Sequence, residues 1–142
     1  MGENIINIII VDDHEMVRET WRMILEQNKQ FNIICECSSG IEAIEAAQKY
    51  QPDIILMDIN MSPVNGFEAT RKITQLVPTT KIIGLSINNQ PTYARNIMQL
   101  GAKGFVTKNS TSAEMVTAIQ TVYNGGNFIC QEIRDIMQND YQ

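Results

Sequence analysis

Short aliphatic runs separated by segments of helical period recur along this chain. Ile54-Ile55-Leu56-Met57 is the clearest: apolar residues without polar alternation, the pattern of a strand buried on both faces inside a parallel sheet. Ile5 to Val11 is a β-branched run of the same type, and Phe31 to Cys37, Lys81 to Ser86 and Lys103 to Thr107 follow it. Helical patterns fill the gaps. Met16, Val17, Trp21, Ile24 and Leu25 share a face after Asp13, a residue suited to capping that helix. Ser39 and Glu42 make a Ser-x-x-Glu box ahead of Ile41, Ile44 and Ala47, and Pro52 closes that connection. Helices over 66–76, 92–100 and 112–124 complete the set, with Gly101 stopping the second of them. Five strands alternating with five helices predict an α/β fold: a doubly wound parallel sheet with helices on both faces. Residues 128–142 read as a short amphipathic tail with Ile129, Ile133, Ile136 and Met137.

At 142 residues the chain is about one domain long. A formal net charge of −5 leaves no basic stripe for nucleic acid and discourages adsorption to anionic membranes. No apolar stretch approaches the roughly 20 residues of a spanning helix, and Met1-Gly2-Glu3-Asn4 does not open a secretory leader. Cys35, Cys37 and Cys130 cannot all pair within the chain, and their spacing is not that of a zinc knuckle. Reduced thiols are expected, with Cys35 and Cys37 on opposite faces of their strand, and a cytoplasmic location follows.

In an open sheet of this kind ligands bind beyond the carboxyl ends of the strands, where strand order reverses. The first strand ends at Asp12-Asp13, the third at Asp58, the fourth at Ser86 and the fifth at Lys108. Carboxylates, a hydroxyl and an ammonium therefore share one edge. Gathered carboxylates repel one another, and a hard divalent cation with oxygen ligands, Mg²⁺ above all, relieves that repulsion. Beside such a cation Asp58 has the chemistry of a nucleophile toward phosphorus, with Lys108 and Ser86 placed to meet the phosphoryl oxygens.

These residues resemble the receiver domain of two-component response regulators, which carries an acidic pair after strand one and an acceptor Asp after strand three. Thr or Ser after strand four and Lys after strand five complete that family's pattern, here filled by Ser86 and Lys108. The resemblance covers residues 5–126 and implies a flavodoxin-like five-stranded sheet of order 2-1-3-4-5, with a receiver domain over 1–127 and a tail or linker over 128–142. By the same resemblance, Asp58 is the phospho-acceptor. Asp13, Asp58 and the Asn60 carbonyl are Mg²⁺ ligands, Asp12 is a water-mediated one, and Mn²⁺ or Ca²⁺ are possible substitutes for Mg²⁺. Ser86 and Phe105 match the family's switch pair, Phe105 replacing the commoner Tyr. Two departures stand out: Ser62 pushes Pro63 one position later than usual, and Asn109 follows Lys108 where Pro is frequent.

The Lys108-Asn109-Ser110 start and the Asn124-Gly125-Gly126-Asn127-Phe128 ending resemble the LuxR/NarL-type subfamily, whose output is a helix-turn-helix DNA-binding domain. The resemblance implies a sensor histidine kinase as phosphoryl donor, a homodimer on phosphorylation, and DNA contact only through an output domain absent from this sequence. An excised receiver is favoured over a stand-alone interaction module. A haloacid-dehalogenase-type phosphatase would need an acid/base Asp two residues after its nucleophile, and that position is Asn60. A flavodoxin would need backbone donors after the first strand, where this chain is acidic. His14 is read as a first-turn helix residue without a catalytic role, and Trp21 as core.

Overall fold

The structure, a computed structural model, describes residues 4–61 and 65–140. The Ser62-Pro63 departure from the family pattern lies outside the described residues. The strands and helices alternate as β1 (Ile6–Val11), α1 (Glu15–Glu26), β2 (Phe31–Cys37), α2 (Gly40–Tyr50), β3 (Ile54–Asp58), α3 (Gly66–Leu76), β4 (Lys81–Ser86), α4 (Pro91–Gln99), β5 (Gly104–Thr107) and α5 (Ser112–Tyr123). Two further elements follow, β6 (Phe128–Ile129) and α6 (Gln131–Asp140). The sheet is parallel in every pairing, and its order is β2-β1-β3-β4-β5-β6. The expected order 2-1-3-4-5 is therefore correct as far as it goes, but the sheet has six strands rather than five. The sixth comes from the tail. Phe128 and Ile129 pair with Gly104 and Phe105, and Cys130 N–H donates to the Phe105 carbonyl at 3.0 Å. Covering an exposed sheet edge in this way satisfies backbone groups that would otherwise stay unpaired.

Burial explains why the strands read as continuous apolar runs. Ile8, Ile9, Ile10 and Val11 of β1, and Ile54, Ile55, Leu56 and Met57 of β3, have no exposed surface, because helices cover both sheet faces. Side-chain caps set three helix starts. Ser39 Oγ accepts from Glu42 N–H at 3.1 Å, Asn65 Oδ1 from Glu68 N–H at 2.9 Å, and Thr111 Oγ1 from Glu114 N–H at 3.1 Å. Pro91 occupies the first turn of α4, where its missing N–H costs nothing, and Gly101 follows that helix at φ 115°.

Two expectations fail. Asp13 does not cap α1: His14 holds the cap position, without a side-chain cap bond, and the Asp12 carboxylate accepts His14 N–H at 2.9 Å instead. Cys35 and Cys37 do not face opposite ways, because strand residues two apart share a face; burial raises both thiols above the ordinary range. All three cysteines are free thiols. Among the described residues no helix is long and apolar enough to cross a membrane.

Candidate functional site

The sheet order reverses at β1, with β2 on one side and β3 on the other. At this point Val11 pairs with Met57, so the two strands deliver Asp12 and Asp58 side by side at their carboxyl ends. One further strand along, Asp58 pairs with Leu85, and next to that Ser86 pairs with Thr107. Lys108 N–H donates to the Ser86 carbonyl at 2.8 Å, which continues the ladder and fixes where the lysine leaves the sheet.

The charged groups converge. Lys108 Nζ lies 2.9 Å from Asp12 Oδ2 and 3.6 Å from Asp58 Oδ2, bridging two carboxylates that are themselves fully buried. One ligand atom from each of Asp12, Asp13, His14 and Asp58 lies within 4.8 Å of the others. Asp13 stands at the mouth with its side chain 37% exposed. Burial pushes the Asp58 carboxyl up to about 6; the charges of Asp12 and Asp13 add to this, while the Asn60 N–H bond and Lys108 oppose it. Asp58 Oδ1 accepts Asn60 N–H at 3.0 Å. Ser86, also fully buried, donates through Oγ to Asn60 Oδ1 at 3.1 Å and accepts from Asn88 N–H at 2.9 Å.

The donor set suits a hard divalent cation. Asp12 Oδ2 is buried and has no hydrogen-bond partner, since Lys108 approaches it as an ion pair outside hydrogen-bond geometry. A buried carboxylate oxygen held by a lysine ion pair alone, beside further carboxylates and with one ammonium to offset them among the described residues, is an arrangement that a bound Mg²⁺ would compensate.

The sequence-identified residues Asp12, Asp13, Asp58, Asn60, Ser86 and Lys108 are all brought to this edge. Phe105 is not at the edge but within the sheet, fully buried, its ring against the open face of Gly84 beside Ile97. Two participants, Arg18 and Gly66, escaped the sequence reading, and His14, read as a first-turn helix residue without a catalytic role, also lies here. His14 Nδ1 sits 3.2 Å from Asp12 Oδ1 and 3.0 Å from Asp13 Oδ1. Arg18 Nη1 donates to the Asp12 carbonyl at 2.7 Å while its Nε pairs with Glu36 on β2, pinning the backbone of the acidic pair. Gly66 opens α3 so close to β3 that a Cβ there would collide with the Asp58 carbonyl oxygen and Ile59 Cα. His14 had a signal, its adjacency to the acidic pair; Arg18 had none, because Glu36 lies on another strand.

Residues 8–120 match the response regulator receiver domain family. The transcriptional regulatory protein DegU of Brevibacillus brevis is 36% identical over 142 residues, covering all of this chain and 60% of its own length. The response regulator UvrY of Escherichia coli K12 is 38% identical over 132 residues, 93% of this chain and 61% of its own. The chain thus spans about 60% of the length of these curated relatives. A LuxR-family two-component response regulator from Aurantimonas sp. SI85-9A1, a solved structure, superposes with a TM-score of 0.92 at 30% identity, covering 98% of this chain and 100% of its own. Family match, relatives and fold agree with the carboxylate edge built above: the chain belongs to the response regulator receiver domain family of two-component systems, among the LuxR-type regulators.

Proposed function

We propose that Asp58 accepts a phosphoryl group from the phosphohistidine of a sensor kinase, and that this covalent mark switches the surface around β4, α4 and β5. The observation that carries the reading is the convergence of Asp12, Asp13 and Asp58, with Lys108 the one ammonium paired with these carboxylates among the described residues. A carboxylate oxygen of Asp58 attacks phosphorus; the P–N bond to the donor imidazole breaks, a C–O–P bond forms, and the released nitrogen takes up a proton. Asp58 needs no general base. Even raised to about 6, it is mostly ionised at neutral pH.

Asp13, Asp58 and the Asn60 carbonyl would hold Mg²⁺ directly and Asp12 through water, with Mn²⁺ or Ca²⁺ as substitutes. When bound, the ion supplies charge neutralisation for the phosphoryl oxygens as they gather negative charge. Lys108 is free to turn its ammonium from the carboxylates to a phosphoryl oxygen, and the Ser86 hydroxyl exchanges its bond to Asn60 for another. Arg18 and Gly66 keep the two acidic segments at the spacing this requires. The Phe105 ring already occupies the inward position beneath Gly84, so rearrangement falls on Ser86 and the segment after it. Asn60, unlike an Asp, supplies no acid/base group, so loss of the phosphoryl group is slow and the chain is a signalling module rather than a turnover enzyme.

The relatives' names support a transcriptional output: DegU is a transcriptional regulatory protein, and the structural match is of the LuxR family. On this reading the receiver spans 1–127, residues 128–142 lead toward a helix-turn-helix domain outside this sequence, and phosphorylation promotes a homodimer that binds DNA in the cytoplasm. Incubation with Mg²⁺ and acetyl phosphate followed by intact-mass measurement tests the acceptor. A gain of one phosphoryl group that Asp58→Ala abolishes is expected; an adduct surviving that substitution overturns the assignment. Release of many equivalents of phosphate per chain would favour the phosphatase alternative.

A further inference from the structure

We infer that α6 is a latch over the α4–β5 face, that the Glu132 carboxylate is its catch, and that phosphoryl transfer to Asp58 releases it. The inference rests on the Asp58 reading above. Glu132 Oε1 accepts from Thr107 Oγ1 at 2.8 Å and Oε2 accepts from Asn89 Nδ2 at 3.3 Å. Thr107 is buried and directly precedes Lys108. Asn89 follows Asn88, whose N–H is held by the Ser86 hydroxyl at 2.9 Å. One carboxylate on the tail is therefore gripped by the two segments that carry the site's cation and its hydroxyl.

The remaining attachments of the tail are mainly apolar. Cys130 and Ile133 are fully buried, Met137 packs against the core, and α6 lies on α4. Gln131 N–H donates to Glu114 Oε2 at 2.8 Å, so the first turn is tied to α5 and acts as the hinge end. Ser86 Oγ donates to Asn60 and accepts from Asn88. When a χ1 turn carries Oγ to a phosphoryl oxygen instead, Asn88 must follow it or lose its acceptor, and either movement draws Asn89 off Glu132. The Ser86 carbonyl also holds Lys108 N–H at 2.8 Å, so a shift of Ser86 carries Lys108 and, with it, Thr107 in the same sense. With both arms loosened, the turns of α6 beyond Glu132 keep only their apolar contact. By reciprocity, a tail that phosphorylation loosens must in turn disfavour phosphorylation while it is docked.

Hydrogen–deuterium exchange and intact mass, measured on the same samples, decide the matter. On phosphorylation with acetyl phosphate and Mg²⁺, amides of 132–140 are expected to exchange about tenfold faster, the scale of losing hydrogen bonds to a charged group. Glu132→Ala should give a similar gain without phosphorylation and raise the phosphorylated fraction several-fold at limiting acetyl phosphate. Asn89 is exposed, so Asn89→Ala tests the same catch without disturbing the core, and a smaller gain of about threefold is expected from its one neutral donor. An adduct with unchanged exchange in 132–140 overturns the latch and leaves the acceptor reading intact. Wild-type exchange in folded variants overturns it as well. Absence of any adduct overturns the acceptor reading, and the latch falls with it.

Discussion

A carboxylate withdrawn from water beside two others is held at a cost, and Asp58 is where this chain bears it. Burial, reinforced by Asp12 and Asp13, raises its pKa from 3.8 to about 6. The folded state therefore holds this proton more tightly than the unfolded state does. Below the unfolded value both states are protonated and no penalty arises; as pH rises through the folded value the penalty becomes complete. Stability attributable to Asp58 in metal-free protein is thus lost between about pH 4 and pH 6. With Lys108 and residual solvent offsetting part of the shift, Asp58→Asn is expected to stabilise the protein by about 1–2 kcal/mol at pH 7.5. That difference should vanish near pH 4, in urea unfolding with EDTA; a difference independent of pH would show that Asp58 is not held at such a cost. The same residue scale marks what a sequence does and does not disclose. Asp12, Asp58, Ser86 and Lys108 were readable because each ends a strand of recognisable composition. Arg18 was not, because its importance lies in a contact at 2.7 Å to the Asp12 carbonyl that arises only when β1, β2 and α1 have packed.

Among the elements, caps and runs transfer well from sequence to structure, since both depend on neighbours in the chain. The Ser39 cap of α2 and the start of α3 at Gly66 are where the local chemistry puts them, although Glu42 closes its half of the expected box on Ser38 N–H rather than on Ser39. The start of α1 is not: Asp12, one residue earlier than the expected cap, takes the His14 N–H while lying within the buried cluster, so a tertiary demand displaces a local preference. The sixth strand also escaped, because Phe128 and Ile129 are too few to read as a strand until the β5 edge is there to receive them. The α3 start carries a consequence for the site. Its first residue meets the backbone of β3 so closely that any side chain must push the two apart. Gly66→Ala is expected to cost about 2–4 kcal/mol of stability, an overpacking effect against backbone that cannot yield. It should also weaken Mg²⁺ binding severalfold, because Asp58 and Ile59 must move. Thermal melting with and without Mg²⁺ checks both; a variant with unchanged melting would mean that α3 has room to shift.

For the molecule as a whole, the tail belongs to the packed body. Cys130 and Ile133 are buried, and β6 closes the β5 edge of the sheet. A chain ended after Asn127 is expected to lose about 2–4 kcal/mol through those apolar contacts and the ladder pairing, and still to accept a phosphoryl group. Denaturant unfolding of the shortened chain measures this, and an unchanged midpoint would show the tail to be a passive linker. The larger claim is that strands distant in sequence bring three carboxylates together to share one cation. Isothermal calorimetry of Mg²⁺ binding tests it most directly, using Asp13→Asn, Asp58→Asn and, as a control, Asp53→Asn, whose side chain accepts from Asn7 N–H at the opposite ends of the strands. The account expects one ion per chain, affinity reduced at least about tenfold by either site substitution and unaltered by the control, as loss of a direct ionic ligand requires. Wild-type affinity in Asp13→Asn and Asp58→Asn, or no binding by the unaltered chain, would contradict it.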